Sequence, residues 1–171
     1  MEGQTSGQWR AEDVLEIQQV ILKYPVAIDT LNIDLFDDIF TPDAQIELAL
    51  VGTLDQRAYR DVCTSGLPEL EASHHHCGQP LVTIDGDTAQ ARTYFIAQHA
   101  RNSLRPDGLL LVGGWYDDKL DKKSGRWLIN HRKGTAAWWQ GNPAVVGAEG
   151  PTGGMERSDK GRECPAWLMT S

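Results

Sequence analysis

The sequence predicts an α+β protein whose helices come first and whose strands follow. Up to about residue 70, apolar side chains recur at intervals of three or four, which is the period of an amphipathic helix. From Ser73 onwards apolar and polar residues alternate, which is the period of a strand. We therefore expect a cone-shaped α+β barrel, in which a curved, mostly antiparallel sheet wraps around the N-terminal helices and encloses a pocket.

The first helix is predicted over residues 12–30. Its apolar face is marked by Val14, Ile17, Ile21, Tyr24, Ile28 and Leu31. Pro25 interrupts this face, because a proline removes a backbone donor and clashes with the preceding turn. We expect a kink near Tyr24 that turns Asp29 towards the pocket.

The remaining elements are shorter. The patterns predict a short helix over 33–40, a strand over 44–50, a third helix over 54–67, and strands over 74–84, 88–101, 109–120 and 125–139. Asn32 is expected to cap the short helix and Thr41-Pro42-Asp43 to end it. The chain divides into an N-terminal extension (1–10), the cone domain (11–142) and a Gly/Pro-containing tail (143–171), which should close over the cone mouth or pack on a neighbouring chain.

Composition and charge argue against several classes of function. A formal net charge of −8 disfavours nucleic acid or an anionic membrane surface as the main partner. No apolar run approaches the roughly 20 residues that span a bilayer, and the N-terminal residues lack the pattern of a secretory signal. Cys63, Cys77 and Cys164 are an odd number and widely spaced, as expected for reduced thiols. We expect a cytoplasmic protein.

The stretch ASHHHCGQPL, residues 72–81, suggests either a metal site or proton chemistry. A strand sends alternate side chains to opposite faces, so His74 and His76 should point one way, and His75 and Cys77 the other. These four side chains cannot bind one metal, and the usual spacing of zinc ligands is absent, so we expect no metal. Two interpretations stay open: polar surface residues beside one packed histidine, or one inward imidazole that acts as a general base.

An inward general base needs a carboxylate that orients its ring. Asp29 ends the apolar stretch YPVAID, where an aspartate is costly to bury unless it is paired. Asp34, Asp37 and Asp38 lie on a polar helix face and are most simply solvated. Asp29 is thus the candidate partner, and the simpler alternative is that it only marks the end of the first helix.

Five segments, in order, resemble the SnoaL-like branch of the nuclear transport factor 2-like superfamily. They are KYPVAID, FTPDAQIE, SHHHCGQPLVTIDGDTA, GGWYDDKL and GRWLINHRK. The chain looks most like the dehydratase and dehydrochlorinase members, such as scytalone dehydratase, bile acid 7α-dehydratase and hexachlorocyclohexane dehydrochlorinase. The resemblance implies the cone fold, a homo-oligomer (trimer or dimer) and no cofactor.

The resemblance also implies roles for individual residues. Those enzymes carry an Asp–His pair at the end of the first helix and the start of the strand after the third, which are the positions of Asp29 and His75. Tyr24 stands where the bile acid enzyme has a tyrosine, five residues before its aspartate. His99 stands at a place comparable to a second histidine of scytalone dehydratase. Ala97 departs from the pattern, since the bile acid enzyme has an acidic residue there.

The activity implied is β-elimination of water from a ring-shaped hydrophobic substrate, such as a steroid or polyketide. His75 would remove a proton from carbon, while Tyr24 or His99 would hydrogen-bond the carbonyl or protonate the departing hydroxyl. The expected cavity walls are Phe95, Val112, Trp115 and Trp138, although ordinary core packing would also explain the tryptophans. Arg132 either faces inward and binds a substrate oxygen or lies exposed on its strand.

Other functions fit the same sequence. A cone with the same base would also isomerise a double bond or cyclise a polyketide. A non-catalytic binding module, such as the small subunit of ring-hydroxylating dioxygenases, shares the fold and needs no inward Asp–His contact. A paired Asp29 and His75 in a closed apolar pocket would favour the enzyme.

Overall fold

A computed structural model of the chain describes residues 10–48, 52–157 and 164–168. Its helices are α1 (Ala11–Asp29) and α2 (Gln56–Gly66). Its strands are β1 (Phe40–Leu48), β2 (Gly52–Asp55), β3 (Ala72–Cys77), β4 (Leu81–Asp85), β5 (Thr88–Ala100), β6 (Leu109–Lys123), β7 (Arg126–Gly141) and β8 (Gly153–Arg157). Short 3-10 helices include Ile33–Asp38, Leu67–Glu69 and Pro143–Val146. The α+β prediction is confirmed.

The strands form one sheet in the order β2-β1-β7-β6-β5-β3, with β4 also paired to β5 and β8 to β7. The β1–β7 pair is parallel, and the other pairs are antiparallel. β3 pairs only with the second half of β5, which sets Ser73 opposite His99 and His75 opposite Ala97. The register thus brings the two histidine-bearing stretches side by side.

Helix α1 packs its apolar face on the sheet. Ile17, Ile21, Tyr24 and Ile28 are at most 4% exposed and belong to one core cluster with residues of β1, α2 and β7. Pro25 lies inside the helix, which continues through it to Asp29. The kink at Pro25 stays a prediction. No helix among the described residues is long and apolar enough to span a bilayer.

Three local predictions are wrong. Asn32 makes no side-chain bond to the Ile33–Asp38 helix, which is of the 3-10 type. The expected stop at Thr41-Pro42-Asp43 lies within β1, where the register with β7 shifts between Phe40 and Gln45 and so accommodates a proline. The strand predicted over 74–84 is two strands, β3 and β4, separated by Gly78-Gln79-Pro80.

Candidate active site

The Asp29 carboxylate and the His75 imidazole form a hydrogen-bonded pair. Asp29 is the last residue of α1, and His75 lies within β3. Nδ1 of His75 lies 2.7 Å from Oδ1 of Asp29, and the backbone N–H of His75 donates to Oδ2 at 2.7 Å. The His75 side chain is 7% exposed and that of Asp29 is 17% exposed. Two bonds to one carboxylate fix both the strand position and the rotation of the ring.

The neighbouring histidines point away from this pair. His74 and His76 are exposed, whereas His75 and Cys77 are partly buried, as the alternation of a strand predicted. In the part of the chain that the structure describes, no three His, Cys, Asp or Glu side chains are arranged to hold a metal ion. The histidine run therefore contributes one imidazole to the site.

Ser73 joins a second histidine to the pair. Its hydroxyl donates to Oδ1 of Asp29 at 2.9 Å and lies 3.4 Å from Nδ1 of His99. A hydroxyl has one proton, and a carboxylate only accepts. Because the Ser73 proton goes to Asp29, Ser73 accepts a bond from His99. This places the His99 proton on Nδ1 and leaves Nε2 unprotonated.

Two groups around His75 have shifted pKa values. Burial favours the neutral form of Asp29, but hydrogen bonds from the ring and backbone of His75 and from Ser73 outweigh it and lower the Asp29 pKa to about 2. Burial, reinforced by the nearby His75, lowers the pKa of His99 to about 4. At neutral pH the site thus contains an ionised Asp29 and an uncharged His99.

His75 of this pair lines a cavity of about 350 Å³ between the helices and the sheet. Its wall includes Ile28 from α1, Val62 from α2, and Phe95, Ala97 and Val112 from the sheet. His75 and His99 lie in the same wall. A largely apolar cavity of this size with a few convergent polar groups is typical of small-molecule sites.

Two tyrosine hydroxyls meet in this cavity. Tyr24 of α1 and Tyr59 of α2 both line it, and their oxygens are 2.6 Å apart. The ring of Tyr24 also packs edge-on against His75, with the ring centres 6.4 Å apart. Burial raises the pKa of both hydroxyls above the usual value, so both keep their protons at neutral pH. One proton forms the mutual bond, and Tyr59 also has the buried thiol of Cys63 as a hydrogen-bond partner.

The beginning of the predicted tail closes part of the cavity. Val145, Val146 and Gly147 line it, and Val145 is 1% exposed. Asn142 directs the chain there, because its side chain accepts from the backbone N–H of Ala144 and caps the short Pro143–Val146 helix. Farther along, β8 pairs with the end of β7.

Trp115 and Trp138 do not line the cavity, contrary to expectation. Trp115 lies on the opposite face of β6 from Val112, since residues three apart on a strand face opposite ways. There it contacts Tyr94, with the ring centres 5.9 Å apart. A bulge in β7 pairs Gly113 with Trp138 but Gly114 with Ala136, which turns the Trp138 indole over Gly113 and leaves Ala136 in the wall.

Arg132 faces inward but is already paired. Its Nε and Nη2 donate to the two carboxylate oxygens of Asp118 at 2.7 Å, and both side chains are fully buried. The guanidinium carbon lies 4.4 Å from the centre of the Tyr24 ring and 4.5 Å from that of Tyr116. Burial opposes the charge, but Asp118 raises the Arg132 pKa well above its usual value. The predicted inward position of Arg132 is therefore correct and the exposed one is wrong, but its Nε and Nη2 donors are occupied by Asp118 and its guanidinium packs against the ring of Tyr24.

Sequence reasoning missed Ser73, Tyr59 and Arg101. Ser73 is two residues before His75, so strand alternation alone places it on the same face. Arg101 follows His99 by two residues in an extended backbone and lines the cavity for the same reason. Tyr59 had no comparable signal, because its contact with Tyr24 depends on how α2 packs against α1.

The chain belongs to the SnoaL-like domain family, whose sequence profile matches residues 9–133. The predicted resemblance to SnoaL-like proteins is thereby confirmed. The uncharacterized protein Rv2910c of Mycobacterium tuberculosis is 34% identical over 122 residues, which cover 70% of this chain and 82% of Rv2910c.

Solved structures show the same fold. The protein Kfla4162 from Kribbella flavida superposes with a TM-score of 0.73 at 25% identity, covering 81% of this chain and all of that one. A hexachlorocyclohexane dehydrochlorinase, LinA type 2, gives a TM-score of 0.69 at 13% identity, covering 81% of this chain and 94% of that one. The second likeness is one of fold alone.

Proposed function

We propose that this protein is a cofactor-independent dehydratase that eliminates water from a ring-shaped hydrophobic substrate, with His75 as general base. The observation that carries the proposal is the contact between Asp29 Oδ1 and His75 Nδ1 at the wall of an apolar cavity. The ionised carboxylate of Asp29 accepts a hydrogen bond from the Nδ1–H of His75, so the lone pair of the ring lies on Nε2. That nitrogen is the one left for the substrate.

The reaction proceeds by removal of a proton α to a carbonyl group. The proton moves to His75 Nε2, and the electron pair of the C–H bond moves into the carbonyl as an enolate. Asp29 stabilises the imidazolium that forms. The enolate then re-forms its carbonyl as the β C–O bond breaks, and the imidazolium returns its proton to the departing hydroxyl as water. His75 ends neutral, and no other reactant is needed.

The tyrosine pair is suited to the enolate oxygen. Tyr24 and Tyr59 both line the cavity and stay protonated at neutral pH, so a hydroxyl of this pair would donate to the substrate carbonyl when the carbonyl binds beside it. A donor fixed in a water-poor site lowers the barrier most when charge develops on the acceptor. His99 is less suited to protonate the leaving group, since it is uncharged at neutral pH. Its unprotonated Nε2 would instead accept a bond from a substrate hydroxyl.

The test is a comparison of variants on a panel of ring-shaped β-hydroxy carbonyl compounds. Asp29→Asn and His75→Ala should each lower turnover by about 10²-fold or more, because each removes the oriented base. Mass spectrometry would detect the loss of one water per turnover. His74→Ala is the matched control, since it removes an exposed histidine next to the site and should leave the rate unchanged.

A second measurement separates proton removal from elimination. Exchange of the substrate α-hydrogen for deuterium in heavy water reports on the base alone. Exchange of hydrogen for deuterium without loss of water would identify an isomerase or cyclase that uses the same pair. Normal turnover or exchange in Asp29→Asn or His75→Ala would contradict the proposal. Absence of any exchange in the native protein would favour a binding module.

A further inference from the structure

Arg101 lies at the rim of the largely apolar cavity. Phe95, Ala97, His99 and Arg101 follow one another on the inner face of β5 and its extension, and all four line the cavity. Arg101 is the one lysine or arginine among the described lining residues. With a rise of about 3.3 Å per residue, its backbone lies about 7 Å beyond that of His99.

The guanidinium of Arg101 is only partly used. Its Nη2 donates to one oxygen of Glu69 at 2.9 Å, whereas its Nε is buried and has no hydrogen-bond partner among the described residues. Arg92 and Arg132 differ in this respect, since each donates from both Nε and Nη2 to one carboxylate at 2.7 Å. Arg101 thus presents the same two-donor edge with one donor unoccupied.

The carboxylate that holds Arg101 is readily displaced. The Glu69 side chain is 62% exposed and that of Arg101 is 28% exposed, so water screens their attraction. Glu69 lies on the Leu67–Glu69 helix at the cavity wall and can turn to solvent without leaving a buried charge. A ligand carboxylate in its place would engage Nε and Nη2 together.

We propose that Arg101 binds a carboxylate of the substrate, so that the substrate class is ring-shaped carboxylic acids. This inference rests on the proposed function for the position of the reacting carbon, which would lie near His75 while the acid group lies at the rim. Both carboxylate and phosphate can pair with two guanidinium donors, but a carboxylate fits better here because the nearby Glu69 would repel a dianion more strongly than a monoanion.

The test measures binding and does not require turnover. Isothermal titration would compare 2-naphthoate with the neutral 2-naphthamide, which has the same rings. The native protein should bind the acid about tenfold or more tightly than the amide. Arg101→Gln should remove this preference, and Arg101→Lys, which keeps the charge but not the two-donor edge, should keep only part of it. Glu69→Gln should tighten binding of the acid, because it removes a competing carboxylate.

Two controls make the outcome specific. Arg105→Gln changes an exposed arginine outside the cavity and should keep the native preference. His75→Ala should also keep it, so that a failure of the proposed catalysis and a failure of this proposal are distinguishable. Equal binding of acid and amide by the native protein, no binding of either, or an undiminished preference in folded Arg101→Gln would each overturn the proposal.

Discussion

At the scale of single residues, Ser73 sets the chemistry of two histidines. By donating to Asp29 it helps to keep that carboxylate ionised and therefore able to hold His75. By accepting from His99 it fixes which nitrogen of that ring carries the proton. One hydroxyl thus gives the two imidazoles different surroundings, although both lie in the same wall of the cavity.

The uncharged state of His99 predicts a dependence of stability on pH. In the unfolded chain His99 takes up a proton near pH 6.5, whereas in the folded protein it does so only near pH 4. The contribution of neutral His99 to the free energy of unfolding should therefore be complete above about pH 6.5. It should fall by about 3 kcal/mol as the pH drops to about 4. The His99→Gln variant lacks this contribution, so its free energy of unfolding should depend less on pH.

Urea unfolding at pH 8, 6, 5 and 4 would measure this effect. The native protein and His99→Gln are compared first at pH 8, where His99 is uncharged in both the folded and the unfolded state. The difference between their unfolding free energies should then change steadily between pH 6 and pH 4. Parallel curves over that interval would show that His99 is not held in its neutral form.

At the scale of elements, two bulges in β7 determine what the sheet presents to the cavity. The register with β6 shifts once between Gly113 and Gly114 and again between Lys119 and Leu120. Strand alternation correctly predicted that His75, Phe95 and His99 face inward, since β3 and β5 pair without a shift. It failed for Trp138, because the position of a bulge depends on contacts across strands that one sequence does not reveal.

The first bulge predicts a strict requirement for glycine at position 114. A Cβ added to Gly114 would lie 1.9 Å from the backbone oxygen of Thr135, and backbone cannot rotate away. Gly114→Ala should therefore destabilise the protein by several kcal/mol, measured by urea unfolding. Gly66→Ala is the matched control, since nothing lies within 4 Å of its added Cβ. A native-like stability of Gly114→Ala would show that the bulge relaxes.

At the scale of the whole molecule, the outer face of the sheet bears on the predicted homo-oligomer. Tyr94 and Ile96 are 57% and 47% exposed there, beside Trp115 and Trp138. Exposed apolar side chains grouped on one face often mark a protein interface. The dimer or trimer stays a prediction, and this face is the place to test it.

Light scattering coupled to size-exclusion chromatography would measure the mass in solution. The native protein should elute as a dimer or trimer, and Ile96→Glu should shift it towards the monomer, because a charge would be buried at the interface. Leu15→Glu, which changes an exposed residue of α1, should leave the mass unchanged. A native monomer, or an Ile96→Glu protein of native mass, would contradict this prediction.

The fold was predictable as a whole because it follows from the order of helical and strand periods, which the segments that form the helices and long strands display. The wall formed by Val145 and Val146 was not, because the stretch around GAEGPTGG resembles a flexible connector and carries no period. The position of this wall is set by Asn142 and Pro143, which begin the short Pro143–Val146 helix. Their capping role depends on where β7 ends beside β6, and the sequence alone does not reveal that point.

That piece of wall lies beyond residue 133, where the family profile ends. Substitutions at Val145 or Val146 would therefore reshape one side of the cavity without altering Asp29 or His75. Ligands inferred from residues 9–133 alone would overlook this part of the wall, and truncation at residue 133 would also cut through β7.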